Sequence, residues 1–418
     1  MAKGKFNIYV YADWIGLDGP IQIGVLSAHF AKAKKAFSFE YTKEWLEKRL
    51  FQLLDPDITF HSGPQYSTDK ENFGVFLDSM PDTWGKTLMK RREAQHAKSR
   101  NEKARILYEI DFLLGVYDES RMGALRFKTE INGPFLDNDD HNPTPPWSSL
   151  GNLQEAVNHL ESDIQNNEIR RWIAVLIAPG SSLGGARPKA NILGKDKSLW
   201  IAKFPSKTDT VDKAAWEFLA YKLAVSCGIE MAESKIEKIA GPYRTFLTKR
   251  FDRENGGRIH FASAMTMTGN NEETLKSKTP SYLDIVDVIE NYGVNVNANL
   301  NQLWRRIVFN IAISNTDDHL RNHGFILNEK GWKLSPAYDL NPSIEKYGLA
   351  LNIDMDDNTL DYNLAKSVGD FFRLNESEMD QIIDEVISAV KGWKSVAKQI
   401  GISNKEQHLM EPAFNLTI

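Results

Sequence analysis

Apolar and polar positions alternate over the first forty residues. Residues 6–14 (FNIYVYADW), 21–30 (IQIGVLSAHF) and 36–41 (AFSFEY) predict strands, with a turn at residues 16–20. Thr42 then predicts the cap of a short helix over 47–54, stopped at Asp55-Pro56. Residues 72–105 carry helical spacing in pieces, broken at Pro81, followed by a helix over 106–117 and a strand over 122–127. The stretch 132–146 (NGPFLDNDDHNPTPP) loses all periodicity and collects Pro and Asp, which marks the main domain boundary.

Helical periodicity returns over 149–162 and near Glu168, then gives way to a glycine-rich stretch, 177–193 (IAPGSSLGGARPKANIL), and a strand over 199–206. Asp212 caps a helix with an apolar stripe from Ala215 to Ala224, closed by Gly228. A strand over 243–253, a polar loop over 270–280 and a helix over 282–291 precede an amphipathic helix. In that helix Trp304, Ile307, Val308, Ile311 and Ala312 share one face. Short strands follow at 325–327, 332–334 and 349–353. Asn375 and Glu378 form a capping box for a helix with stripe Met379, Ile382, Ile383, Val386, Ile387 and Val390. The last 26 residues, 393–418, suggest no function.

Composition narrows the picture. A chain of 418 residues predicts two or three domains. The formal net charge of −5 gives no reason to expect a nucleic-acid-binding surface over the whole protein. The basic residues within 72–105 read as a solvated helix face. Cys227 is the single cysteine, so no internal disulfide forms, and its helical, apolar context makes it a small buried hydrophobe. No apolar run approaches a membrane span and the amino terminus lacks a signal-peptide core, so a cytoplasmic protein without membrane contact is expected.

The chemistry concentrates after the amphipathic helix, where Asn315, Asp317, Asp318, His319, Arg321, Asn322 and His323 crowd one loop and Asp339 follows the next hairpin. Asp317 with Asn322 five residues on has the spacing of a kinase catalytic loop, and Asp339 comes where a metal-binding aspartate is needed. His319 and His323 stand four apart, but Leu320 occupies the position where a metalloprotease needs Glu. The glycine-rich stretch suits phosphate oxygens without being a Walker A loop, since Ala190 follows Lys189. Lys203, flanked by Ile201, Ala202 and Phe204, is costly to bury unless it meets a partner or a phosphate, and Glu217 is a candidate partner.

The order of glycine-rich loop, strand lysine, KRFDR (249–253), NTDDHLRNHGF (315–325) and SPAYDLNPS (335–343) resembles the HipA family of serine/threonine protein kinases, the toxin halves of HipA–HipB toxin–antitoxin modules. The segments YVYADW, MPDTWGKTLMKRRE and DFLLGVYDESRMGALRF also resemble that family's small first domain. The resemblance implies an α+β, bilobal, protein-kinase-like fold. It would comprise a β-containing domain over 1–131, a kinase N-lobe-like region over 147–253 and a mainly helical lobe over 254–418. It implies ATP and Mg²⁺ as cofactors, with Asp317 as catalytic base and Asn322 and Asp339 as metal ligands. Lys203 would hold the ATP phosphates, under a loop made of Gly184, Gly185, Ala186, Arg187, Pro188 and Lys189. Lys249, Arg250, Phe251, His319, Leu320, Arg321 and Tyr338 would complete the nucleotide site. Ser182 stands at the position whose autophosphorylation silences the family's enzymes, with Ser181 its competitor in SSLGGARPK. Lys249 replaces a residue commonly acidic in the family. The implied partners are a HipB-like DNA-binding antitoxin, with DNA contacted only through it, and a protein substrate such as an aminoacyl-tRNA synthetase. Two other classes stay open at this point. One is a metal-dependent phosphoesterase using Asp317, Asp318 and His319; the other is a nucleotide-binding module without catalysis.

Overall fold

The structure, a computed structural model, describes residues 4–31, 34–48, 53–67, 70–136, 144–162, 173, 176, 185–345 and 347–417. Contacts divide the chain into two compact units. The first comprises 1–207, 249–262 and 326–329; the second comprises 208–248, 263–325 and 330–418. Both flanks of the stretch 132–146 belong to the first unit.

The first unit opens with an antiparallel sheet in the order β4-β3-β2-β1-β5, built from β1 (Gly4–Ala12), β2 (Ile21–Ala31), β3 (Lys34–Tyr41), β4 (Gln65–Tyr66) and β5 (Leu125–Lys128). Period-two alternation buries Ile8, Val10 and Ala12 on one face, with Leu26, Phe39 and Phe127 also in the core. Gly24 is required there, because a Cβ would lie 2.3 Å from the Phe39 ring. The helix Thr83–Ser99 starts where Asp82 accepts from Gly85 N, immediately after Pro81. Its Trp84 indole donates to the Lys189 carbonyl at 3.1 Å, tying that helix to the hairpin β6 (Lys189–Leu193) and β7 (Leu199–Lys203).

The second unit is mainly helical. Its buried centre is the helix Val296–Ile313, against which Tyr282–Tyr292 and Glu376–Lys391 pack. The helix Lys213–Ser226 begins at Asp212 as expected, and the Asn375–Glu378 capping box is formed in full. One hairpin, β8 (Ser234–Glu237) with β9 (Thr245–Lys249), accompanies them. Cys227 is buried, and burial pushes its thiol up to about 12, in keeping with a packing role. No helix among the described residues is long and apolar enough to cross a membrane.

Three local expectations change. Thr42 caps a helix that starts earlier than expected, Lys43–Glu47, its hydroxyl accepting from Trp45 N and donating to Gln22 O, while residues 49–52 of the helix expected over 47–54 lie outside the described residues. The helix expected over 106–117 is confined to Glu109–Leu114, started by Asp111 reaching back to Tyr108 N. Residues 349–353 keep their alternation, with Leu349, Leu351 and Ile353 buried, yet form no strand. Their amides bond instead to a local turn (Leu349 N to Asn358 O, Ile353 N to Asp357 O) and to Pro280 O through Asn352 N. The helix expected near Glu168 lies outside the described residues.

Candidate functional site

In the second unit the helix Val296–Ile313 ends on Ser314, which adopts the left-handed conformation with φ +51°. The chain then winds tightly through residues 317–322. His319 N bonds to Asp317 O at 3.0 Å and Asn322 N to His319 O at 2.8 Å, making the single turn Leu320–Asn322. Asp318 anchors this loop. Fully buried, its Oδ2 accepts from Tyr282 OH (2.5 Å) and Asn310 Nδ2 (2.7 Å) and lies 2.8 Å from His323 Nε2. Asn310 in turn accepts from Asn315 Nδ2 at 3.0 Å. Burial works to raise the Asp318 pKa, but His323 and the bonds from His323 and Tyr282 outweigh it, so the carboxyl lies below its ordinary range. With that oxygen committed to three protein groups, Asp318 anchors the loop.

Asp317 differs. Its side chain is exposed by area, yet the loops around it desolvate the carboxyl enough to raise its pKa; His319 opposes the rise and the charges of Asp339 and Asp318 add to it. Asp339 is therefore within electrostatic reach of Asp317. It sits at φ +59°, a conformation few non-glycine residues adopt, and Asn341 Nδ2 donates to its Oδ1 at 3.1 Å and is 3.3 Å from its carbonyl. Asn322 is buried and its Nδ2 donates to Asp317 O at 2.8 Å, which leaves the amide oxygen as its acceptor. Tyr338 OH donates to Arg321 O at 2.8 Å, linking the Asp339 loop to the Asp317 loop. Beneath both, the buried Arg306 donates to Ser335 O at 2.6 Å, and burial brings its guanidinium down to about 10. His319 is half-buried, Leu320 buried, and Arg321 exposed in an ion pair with Glu272 at 2.6 Å.

An amide oxygen from Asn322 and a carboxylate from Asp339 form a hard, all-oxygen donor pair, which suits a Mg²⁺ ion that keeps its remaining positions for water and phosphate. Among the described residues no group of three or more His, Cys, Asp or Glu side chains could hold a metal.

In the first unit, Ser181, Ser182 and Gly184 lie outside the described residues. Gly185, at φ +97°, and Ala186 are exposed, Arg187 is half-buried and Pro188 is buried. Lys189 does not project from the loop. Its ammonium makes a buried ion pair with Asp82 at 2.8 Å, and burial raises the Asp82 pKa against the pull of that lysine. Lys203 is buried at the end of β7, directly opposite Lys189 in the hairpin register. Two lysines facing each other across strands repel; Asp82 neutralises one of them. Arg250 is also committed. Its guanidinium binds Asp252 (2.8 and 2.5 Å), Ser120 O (2.5 Å), Asn191 Oδ1 (3.2 Å) and Arg121 O (3.1 Å). Phe251 packs on Phe261, and Lys249 lies at the edge of a cavity, 4.0 Å from Asp196.

The loop residues were visible in the sequence, whereas Asp82, Tyr282, Asn310 and Arg306 were not. The available signal was an asparagine and an arginine inside the amphipathic helix Val296–Ile313, where buried polar side chains need partners.

Three comparisons bear on this site. The family model of the HipA-like C-terminal domain matches residues 181–393, about half of the chain. A curated Sinorhizobium fredii protein, Y4mE, is 23% identical over 210 residues, covering 48% of this chain and 43% of its own length. A Haemophilus influenzae protein is 26% identical over 183 residues, covering 38% of this chain and 52% of its own. Both carry the provisional name of kinase, and the chain spans about half the length of these curated relatives. The solved structure of Shewanella oneidensis HipA, in a complex with HipB and operator DNA, superposes with a TM-score of 0.66 at 18% identity, covering 97% of this chain and 94% of that one. The mixed α/β fold is thus similar to that of HipA over nearly its whole length, and the chain belongs to the HipA-like C-terminal domain family.

Proposed function

We propose that this protein is a bilobal, kinase-like enzyme that transfers phosphate from Mg²⁺-ATP to a serine or threonine hydroxyl of a protein. The observation that carries this reading is the Asp317 carboxyl, raised by desolvation and by the field of Asp339, with Asn322 bonded to the same residue's carbonyl. A carboxyl moved up from its usual range is a better base at neutral pH, which is what accepting a hydroxyl proton requires. Bound Mg²⁺-ATP would supply the phosphoryl group and neutralise its charge. Asp317 would take the hydroxyl proton as that oxygen bonds to the terminal phosphorus and the bond to the bridging oxygen breaks, with ADP leaving. Asn322 and Asp339 would hold the metal, and Lys203 the phosphates. Lys189 and Arg250 are held in ion pairs by Asp82 and Asp252.

The Shewanella complex motivates a HipB-like, DNA-binding antitoxin as partner, with DNA reached through it. The family resemblance adds a growth-arresting role, a translation component such as an aminoacyl-tRNA synthetase as substrate, and silencing at Ser182. The test is incubation with labelled ATP and Mg²⁺, followed by phosphosite mapping. Asp317→Gln should lower transfer by about 10²- to 10⁴-fold while melting like the parent. Undiminished labelling by that variant would remove Asp317 from the role. Ser182→Ala should abolish self-silencing, and phosphate mapping to Ser181 would move the assignment.

A further inference from the structure

Within the second unit, residues 393–417 join the helix Lys213–Ser226 to the end of the helix Val296–Ile313. At one end, Trp216 Nε1 donates to Glu406 Oε2 at 3.2 Å. Arg244 Nη2 donates to Ile400 O at 2.9 Å, and its Nη1 pairs with Asp212 at 2.6 Å. In the middle, the Phe414 ring stacks on the buried Trp393, with centroids 4.2 Å apart and Trp216 6.4 Å away. Packing between such large rings fixes where the next residue lies. That residue, Asn415, makes three bonds. Its N donates to Ala312 O at 2.8 Å, its carbonyl accepts from Tyr362 OH at 2.6 Å, and its Nδ2 donates to Leu360 O at 3.2 Å.

The bond to Ala312 matters because of where that carbonyl stands. A helix leaves its last four carbonyls without partners of its own. For Val296–Ile313 the turn at Ser314 supplies two of them: Ser314 N reaches Ile311 O at 3.2 Å, and Asn315 N reaches Asn310 O at 2.9 Å. The other two are met from far along the chain, Ile313 O by a long bond from Ser343 N (3.4 Å) and Ala312 O by Asn415 N. Ala312 is fully buried, so water does not stand in for that donor. Without it, the last turn of the helix has to shift to find another. The shift passes directly into the loop, because Asn315 is tied to Asn310 by both its backbone N and its side-chain Nδ2, and Asp317 follows two residues on.

We propose that Asn415 is a positioning residue for the Asp317 loop: its backbone amide, set in place by Phe414 on Trp393, caps the helix that delivers the proposed base. Its effect on rate presumes the phosphotransfer reading above; its effect on the loop does not. Residues 393–417, which carry no motif, thereby become part of what turnover requires.

The experiment deletes that one N–H. Phe414, at φ −92° and ψ 105°, already has the extended backbone that precedes a proline, so Asn415→Pro removes the donor without a clash at the residue before it. In the full chain this variant should lower kcat for phosphate transfer about tenfold or more while KM for ATP stays within about twofold. Hydrogen exchange at the amides of Asn315, His319 and Asn322 should quicken about tenfold, whereas the helix Glu376–Lys391 keeps the parent's protection. Asn415→Ala keeps the N–H and loses only the bond to Leu360 O, so it should return most of both the rate and the protection. Should Asn415→Pro not fold, Phe414→Leu, which removes the stacked ring and leaves the amide less fixed, should show the same pattern at about threefold. Exchange unchanged at the three loop amides, or quickened equally in the helix Glu376–Lys391, overturns the proposal. So does a parent-like kcat in a variant whose loop exchanges faster. A parent chain that transfers no phosphate overturns the kinase reading instead, and the exchange pattern then decides the capping role by itself.

Discussion

In the second unit Asp318 gathers a tyrosine, an asparagine and a histidine on one oxygen, all within a single buried cluster. In the first unit Asp13, Asp118 and Asp252 are shared among Arg126, Arg250, Arg253 and Arg258. Both clusters are buried and polar, but their chemistry differs. Around Asp318 one carboxylate meets a histidine and two neutral donors, which fixes a loop in one geometry. Around Asp252 full charges oppose each other in low dielectric, where removing that one carboxylate strands two cations. The first arrangement positions a site; the second holds distant segments, residues 118–126 and 250–258, together.

The largest effect should follow from removing a carboxylate in the charged cluster. Asp252→Ala leaves Arg250 and Arg253 buried without their counter-charge and should cost about 3–5 kcal/mol of unfolding free energy. Asp318→Ala leaves mostly neutral donors unpaired and should cost less, about 1–3 kcal/mol, while lowering any phosphotransfer sharply because the Asp317 loop loses its anchor. Denaturant melts of both variants measure the difference. If Asp318→Ala proves the more destabilising, the contrast between charged and dipolar clusters is wrong.

Acidification should act on the first unit next. His260 is buried against Trp14 (ring centroids 5.4 Å apart), and burial brings its pKa down to about 3 from the ordinary 6.5. Its folded pKa is depressed, so the unfolded chain binds the extra proton between those values and stability falls as pH drops below 6.5. At pH 5 that loss is about 2 kcal/mol. Asp55, pushed up to about 6 by burial, works the other way, because its protonated form is favoured in the fold as pH falls below 6. The measurement is therefore the difference between the parent and His260→Phe, whose stability should fall less between pH 7 and pH 5. Parallel pH profiles would refute the assignment.

Much of the candidate site was legible because it is local. Asp317, Asp318, Asn322 and His323 lie within seven positions, and a break in helical periodicity into such a loop is visible in sequence. Which of the neighbouring aspartates is the anchor was not legible, since Tyr282 and Asn310 approach Asp318 only after the helices pack. The first unit's strands were legible for the same local reason, through period-two burial. Its arginine cluster was not: Arg250 was expected at the nucleotide, and nothing marked Arg126, Arg253 and Arg258 as its companions until the fold joins segments over a hundred positions apart. The pairing of Lys189 with Asp82 was not legible on the same ground, because Asp82 lies more than a hundred residues earlier. Leu349, Leu351 and Ile353 show the converse, since alternation predicts burial but a strand also needs a neighbour.

The smallest effect tests whether the dipolar cluster ends at Asp318 or extends to the Asp339 loop. Tyr338 OH to Arg321 O is one neutral hydrogen bond near the surface, so Tyr338→Phe should cost no more than about 1 kcal/mol. Its importance lies in connectivity, for it joins the backbone carrying Asn322 to the backbone carrying Asp339. If the two oxygens hold one Mg²⁺, loosening that link should raise the Mg²⁺ concentration needed for half-maximal phosphotransfer several-fold while leaving the melting temperature almost unchanged. A bond that only decorates the surface would leave both quantities alone. Arg306, which pins Ser335 from below, would then be sufficient by itself to set the Asp339 loop, and the positioning cluster would stop at the buried carboxylate.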